Sequence, residues 1–175
     1  FLCITLRFIL AQKAAPYATQ ATLALTAEEV MEDKLEQFCS ELKKLDPEGS
    51  DGLVADLYDL VELIDEKDDI SSVFETVFKF FEDYPDADVG NPGPLVHMME
   101  RRYPNYMFAL LNSVRNNPTY MSVFMLNRVL NSDLSSEKRE NYLELLKAAA
   151  FGDSEDEIMK ENAQELYQYQ TERGS

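Results

Sequence analysis

Apolar side chains recur every three or four positions along most of this 175-residue chain, which is the spacing that places them on one face of a helix. The first such stretch runs from Ala27 to Leu45 and stops before Pro47. Thr26 and Glu29 have the spacing of a capping box, in which each side chain bonds to a free backbone N–H at the start of a helix. The pattern therefore predicts a first helix from Ala27 to Leu45.

Two further amphipathic helices are predicted before residue 85. Ser50 is placed to cap the first of them, whose apolar face contains Leu53, Leu57, Leu60, Val61 and Ile64. Ser72 and Glu75 repeat the capping-box spacing and predict a helix that ends near Tyr84. The segment 83–94 holds three prolines and two glycines and predicts a long loop, followed by a short helix over 95–102 and another after Pro104.

The segment from Thr119 to Asn131 is apolar on nearly every side, which is typical of a helix buried at the centre of a domain. Asn117 as the N-cap and Pro118 at the first helical position predict its start. Arg128 is expected to pair with a carboxylate from a neighbouring helix. Pro118, Asn127 and Arg128 are therefore assigned structural roles.

Two more helices are predicted after residue 132. Ser135 or Ser136 begins the first, with Tyr142, Leu145, Leu146 and Ala149 facing inward. Ser154 and Glu157 form a further capping-box pattern for the last helix. The inward residues of that last helix are predicted to be Ile158, Ala163, Leu166 and Tyr167.

No strand-like alternation interrupts this series, so the chain is predicted to be all-α, with a single domain of about seven or eight helices over residues 23–175. An irregular helical bundle and a HEAT-like stack both remain open, because no clear repeat is present. Residues 1–22 are interpreted as a leader, either a signal-peptide remnant, a segment added in cloning or an amphipathic helix, and carry no functional assignment. Cys3 and Cys39 lack metal or redox spacing, which favours a reducing, cytoplasmic compartment.

The formal net charge of −17 is concentrated in one part of the chain. Residues 46–100 contain 16 acidic and 2 basic side chains, whereas residues 101–131 contain no Asp or Glu. A field of this sign repels nucleic acid and anionic membranes and attracts basic proteins. The predicted partner-binding residues are Asp59, Glu62, Asp65, Glu66, Asp68, Asp69, Glu82, Asp83, Asp86 and Asp88.

Catalytic and cofactor signals are weak. His97 is the one histidine, no nucleophile motif or phosphate-binding glycine loop is present, and the segment 86–91 departs from a calcium loop at its key positions. We therefore predict a protein that is not an enzyme and that needs no metal or cofactor. A catalytic alternative would require a pocket that gathers His97, Arg128 and carboxylates.

The segment from Asp88 to Asn131 resembles small helical bacterial immunity proteins of polymorphic-toxin and contact-dependent growth inhibition systems. The shared pattern covers about a quarter of the chain and consists of Gly90, Pro92 to His97, Tyr106, Ser113, Pro118-Thr119, Met125 to Arg128 and Asn131. The resemblance implies an inhibitor that binds a cognate toxin, often a nuclease, and blocks its active site or substrate groove. It also implies that the shared residues maintain the fold, since toxin contacts vary from pair to pair.

Charge and resemblance together predict an immunity protein that neutralises a basic toxin, such as a nuclease, through an acidic surface. The alternative is a helical adaptor, without catalytic activity, that binds another basic protein. Neither nucleic acid nor a membrane is expected as a partner, and the sequence predicts no particular oligomeric state.

Overall fold

The computed structural model describes residues 29–47 and 52–173, and within those ranges the chain forms helices joined by turns and loops. The helices are α1 (residues 29–42), α2 (Leu53–Val61), α3 (Phe74–Asp83), α4 (Pro94–Glu100), α5 (Met107–Asn116), α6 (Tyr120–Leu130), α7 (Ser136–Phe151) and α8 (Glu157–Arg173). The all-α prediction is confirmed. The predicted caps at Thr26 and Ser50 and the predicted leader at 1–22 lie outside the described residues.

Helix α6 lies at the centre of the domain. It packs against α3, α5, α7 and α8, and Val123 and Leu126 have no exposed surface. This confirms the buried helix that was predicted because the segment is apolar on nearly every side. Helix α3 also contacts α6, although two helices separate them in the chain. Both an irregular bundle and a stack of helix pairs allow this contact, since α3–α4 and α5–α6 would be neighbouring pairs in a stack.

The start of α6 differs from the predicted one. Its N-cap is Thr119, whose extended backbone precedes the helix and whose side chain accepts a hydrogen bond from the Ser122 amide. Ser122 Oγ in turn accepts from the Thr119 amide at 2.9 Å, which completes a capping box. Asn117 instead ends α5, so the prediction of Asn117 as the N-cap and Pro118 as the first helical residue was wrong. The deciding interaction is the Thr119–Ser122 pair, which satisfies two backbone groups inside the core.

Two other predicted capping boxes are absent from the described residues. The residue before α3 is Val73, which already has helical backbone angles and leaves Ser72 outside the cap. At α8 the Met159 amide donates to Asp156 Oδ1 at 2.9 Å, and Ser154 Oγ accepts from the Asp156 amide. The Asp156 carboxylate therefore replaces Ser154 as the cap. At α7, by contrast, Ser135 caps the helix as predicted.

Helix α8 is joined to α6 by a buried polar contact. Gln170 is 1% exposed, and its amide donates to Asn127 Oδ1 at 2.7 Å and Asn131 Oδ1 at 2.9 Å. Arg139 of α7 donates to the Leu130 carbonyl and to Gln170 Oε1. These bonds satisfy the side chains that interrupt an otherwise apolar interface, and they fix how α7 and α8 sit on α6.

At the other end of the bundle, α1 packs through Phe38 and Leu42, both fully buried. Helix α2 lies on α4, while α3 lies on α5 and α6. None of the described helices combines the length and apolar character needed to cross a membrane.

The burial pattern predicts opposite outcomes for two similar truncations. Leu126 of α6 is fully buried, whereas Ile158 of α8, predicted to face inward, is 66% exposed because Met159 takes the buried position. We expect Leu126→Ala to lower the free energy of unfolding by about 2–5 kcal/mol, since it opens a cavity in the core. Ile158→Ala should change it by less than about 0.5 kcal/mol. Urea denaturation measures both, and equal losses would contradict the placement of α6 and α8.

Candidate functional site

The predicted partner-binding acids form two groups on different parts of the bundle. The α2–α3 acids lie on α2 and in the loop after it and comprise Asp59, Glu62, Asp65, Glu66, Asp68 and Asp69. The α3–α4 acids lie at the end of α3 and in the next loop and comprise Glu82, Asp83, Asp86 and Asp88. The two groups would share one face if α2 and α3 were adjacent antiparallel helices. However, α2 packs mainly on α4 and α3 on α5, so the structure does not bring them together in that way.

Most of the α2–α3 acids take part in local contacts. Asp65 pairs with Lys34 of α1 at 3.2 Å, and Glu66 pairs with Arg101 at 3.1 Å. Asp69 accepts from the Ser71 hydroxyl and amide, which lowers the pKa of the Asp69 carboxyl. Surface pairs of this kind contribute little stability and exchange readily with other partners. The group therefore remains available to a basic protein, although part of its charge is already balanced.

Arg102 holds the α2–α3 loop against the end of α4. Its guanidinium donates to the Met98 carbonyl at 2.9 Å and the Asp65 carbonyl at 2.7 Å. Burial, and secondarily the neighbouring Arg101, lowers the pKa of Arg102. Arg101 and Arg102 directly follow the C-terminus of α4, where cations are favoured, and the Met98 contact agrees with this. The hydrogen bond between Arg102 and the Asp65 carbonyl could not be predicted, because it joins segments that only the folded chain brings together.

Glu82 differs from the other predicted acids because neutral groups hold it in place. It is half-buried, and its two oxygens accept from the Ser113 hydroxyl at 2.8 Å and the Asn117 amide at 3.4 Å. Its neighbour Asp83 pairs with Lys79 one turn earlier on α3, and this contact raises the pKa of the lysine. Asp86 and Asp88 lie exposed in the loop that follows.

Two adjoining clefts flank α3, and together we call them the α3 groove. Cleft A, of about 620 Å³, lies between α3, the α5–α6 link and the end of α7. Cleft B, of about 640 Å³, lies between α1, α3 and α5. Lys79 and Glu82 line both clefts and form the boundary between them. The groove also contains three acids that were not among the predicted residues. Glu75 lies on α3 itself, and Asp153 and Asp156 come from the distant segment after α7.

The loop before α4 depends on two glycines of the resemblance pattern. Gly90 has φ +84°, a conformation that L side chains rarely adopt. A Cβ at Gly93 would lie 1.6 Å from the Val89 carbonyl oxygen, so only glycine fits there. In this loop the Asn91 amide donates to the Tyr120 hydroxyl at 2.8 Å, which connects the loop to α6. These residues maintain the shape of the fold.

The structure brings His97, Glu100 and Arg128 together on the exposed edges of α4 and α6. Two guanidinium nitrogens of Arg128 donate hydrogen bonds to the two oxygens of the Glu100 carboxylate. The hydrogen bond to Glu100 raises the pKa of Arg128. His97 Nδ1 lies 3.9 Å from Glu100 Oε2, beyond hydrogen-bond distance. Arg128 thus has the carboxylate partner predicted for it. Glu100 lies between His97 and Arg128, and it lines two shallow clefts of about 440 and 350 Å³.

This cluster fits a structural link better than an acid–base site. Arg128 binds both oxygens of Glu100, and His97 lies too far away to bond to it, so the three side chains do not form the hydrogen-bonded relay that an acid–base pair needs. Tyr106, beside Arg128, is 3% exposed, and burial, with Glu100 and Tyr103, raises its pKa to about 12. It therefore keeps its proton at neutral pH and is a poor nucleophile there.

The outer face of α6 continues from Arg128 as a strip of two aromatic rings. The guanidinium of Arg128 lies 5.6 Å from the Phe124 ring centroid, and Phe124 stacks on Tyr120 at 6.0 Å. These residues are spaced four apart, so they lie along one side of the helix. The strip shields the core and holds the Arg128 side chain in place for Glu100.

No group of three or more His, Cys, Asp or Glu side chains is placed to hold a metal ion among the residues that the structure describes. Asp88, in the segment with a faint calcium-loop pattern, instead accepts a hydrogen bond from the Gly90 amide at 3.1 Å. Comparisons of the chain with protein-family models, curated proteins and solved structures found no match.

The Glu100–Arg128 contact should show energetic coupling. We expect Arg128→Met to lower the free energy of unfolding by about 1–2 kcal/mol, and a double-mutant cycle with Glu100→Ala to give a coupling of about 1 kcal/mol. The matched control is the more exposed Glu144–Lys147 pair of α7, whose coupling should stay below about 0.5 kcal/mol. Urea denaturation of both cycles provides the test. Equal coupling energies for the two pairs would contradict the structural role of Arg128.

The raised pKa of Tyr106 predicts that the folded protein loses stability at alkaline pH. Its pKa is about 12 in the folded protein and near 10 when the chain is unfolded, so the unfolded state loses its proton first. Between pH 10 and 12 the free energy of unfolding should therefore fall, by up to about 1.4 kcal/mol per pH unit from this residue. Comparing urea midpoints of wild type and Tyr106→Phe at pH 9, 10 and 11 isolates the effect. A wild-type decline that is equally steep in the Phe variant would contradict it.

Proposed function

We propose that this protein is a stoichiometric inhibitor that acts by binding a basic protein through its acidic surface. More specifically, we propose an immunity protein that acts in the cytoplasm and neutralises a cognate bacterial toxin, with a basic nuclease as the favoured target. The observation that carries the proposal is the density of carboxylates in the segment from α2 to the α3–α4 loop, where most of these acids are exposed. The resemblance of the segment from Asp88 to Asn131 to bacterial immunity proteins supports the same class of protein.

The physical basis of such inhibition is competition with phosphate. A nuclease needs a cationic groove to hold the nucleic-acid backbone, and an array of carboxylates can occupy that groove instead. Complementary charge also accelerates encounter and makes the association rate sensitive to salt. The exposed Asp59, Glu62, Asp86 and Asp88 and the half-buried Glu82 supply charge of the required sign on the surface.

The positions of the resemblance residues are consistent with this proposal. Gly93 permits a close backbone contact, Thr119 caps α6, and Asn127 bonds to Gln170. Residues of this kind preserve a fold while leaving the contact surface free to differ between toxins. The acids that would contact the toxin lie mostly outside the shared pattern. We infer no catalytic activity and no cofactor for this function.

The alternative proposal is a helical adaptor that binds another basic protein without inhibiting it. Both proposals use the same charged surface, so charge alone does not separate them. The effect on the partner's activity does, because an adaptor leaves that activity intact.

The decisive experiment uses the purified toxin domain encoded beside the gene for this protein. We expect an equimolar amount of the protein to abolish toxin activity, and the association rate to fall about tenfold or more between 50 and 500 mM NaCl. The measurements are an activity assay and surface plasmon resonance, with an unrelated protein of similar net charge as the control. Unchanged toxin activity at equimolar ratio excludes the immunity proposal, and binding without inhibition favours the adaptor.

A further inference from the structure

We propose that the α3 groove is where an Arg- or Lys-rich chain segment of the partner docks, with Glu82 as the carboxylate that receives one of its cationic side chains. This inference rests on the proposed function, because it specifies which part of the acidic surface makes the central contact. The groove also includes Glu75, Asp153 and Asp156, which are not among the predicted partner-binding acids.

The size and lining of the groove suit an extended polypeptide. Each cleft is as large as a ligand pocket, and the two meet at α3. Apolar side chains such as Val114 and Leu145 in cleft A and Phe78 and Phe80 in cleft B line the walls. Long cationic side chains can lay their methylene stems on such walls while their charged ends reach the carboxylates. A small anion or a purely apolar ligand would match only part of this lining.

The charge of the groove selects a cationic occupant. Its acidic residues outnumber its basic ones, and Lys79 is already paired with Asp83. The acidic residues of the lining are Glu75, Glu82, Asp83, Asp153 and Asp156, and the basic ones are Lys43, Lys79 and Arg115. Tyr84 is the remaining titratable residue of the lining. The remaining negative potential lies between low-dielectric walls, which focuses the field on whatever enters the groove.

Glu82 is prepared for a cation in a way that the exposed acids are not. The hydroxyl of Ser113 and the amide of Asn117 fix its carboxylate at the boundary between the clefts, and both donors are neutral. An ionised carboxylate can accept about four hydrogen bonds, so sites remain for a guanidinium or ammonium group. Because the side chain is already ordered, a partner would not have to restrict it on binding. A charge-assisted bond formed there is about twice as strong as a neutral one.

The test uses a fluorescein-labelled nona-arginine peptide as the probe, in 50 mM NaCl, with fluorescence anisotropy as the readout. We expect Glu82→Gln to weaken binding about tenfold, because the charge is lost while Ser113 keeps an acceptor. Glu140→Gln removes the same charge from the exposed surface of α7, outside the groove and outside the predicted partner-binding acids, and should weaken binding less than twofold. Unchanged thermal unfolding of Glu82→Gln confirms that the fold is retained.

A second variant tests whether the position of the Glu82 carboxylate matters as well as its charge. Ser113→Ala keeps the carboxylate but removes the hydroxyl that holds it, so we expect an intermediate loss of about two- to threefold. Equal effects of Glu82→Gln and Glu140→Gln would overturn the proposal, since the peptide would then sense only overall charge. No binding by wild type would overturn it as well. Amide exchange should show protection in α3 and α5 when the peptide is bound, and protection confined to α2 would also overturn it.

The two proposals can fail separately. If wild type neutralises the toxin and Glu82→Gln neutralises it with the same affinity, the groove is not the docking site and the immunity function stands. If the peptide binds in the groove as described but the toxin stays active, the groove inference stands and the immunity proposal fails.

Discussion

The burial of α6 is the constraint on which the rest of this fold depends. A helix that is apolar on nearly every side must be covered by other helices, and here α3, α5, α7 and α8 cover it. Burial in turn requires that its polar groups find partners. Thr119 and Ser122 bond to each other at the start of the helix, Asn127 bonds to Gln170, and Arg128 reaches Glu100 at the edge. Each of these contacts attaches a different neighbour or end to the same central element.

The helical content and the central position of α6 could be predicted because they follow from spacing and hydrophobicity, which are local properties of the sequence. Helix starts were less predictable where several capping residues compete. Asn117, Pro118 and Thr119 all favour a helix start, and only the packing of Ser122 against Thr119 decides between them. Ile158 and Met159 present the same difficulty, since a shift of one residue rotates the buried face of α8.

The candidate site was predictable in its charge but not in its shape. The sequence shows where carboxylates are dense, yet it contains no information on which of them are balanced by Lys34 or Arg101. The groove joins Glu75 and Glu82 of α3 to Asp153 and Asp156 beyond α7, residues that are more than sixty positions apart in the chain. Only tertiary packing creates that proximity, and the same packing supplies the Ser113 and Asn117 bonds that distinguish Glu82.

The Gln170 contact has a consequence for how the chain matures during synthesis. Helix α6 is made long before α8, and until residue 170 has left the ribosome Asn127 and Asn131 lack the amide that bonds them. A nascent chain that stops before α8 also lacks the helix that packs on this side of α6. The part of the core that α8 covers on α6 and α7 can therefore close only after α8 has been made.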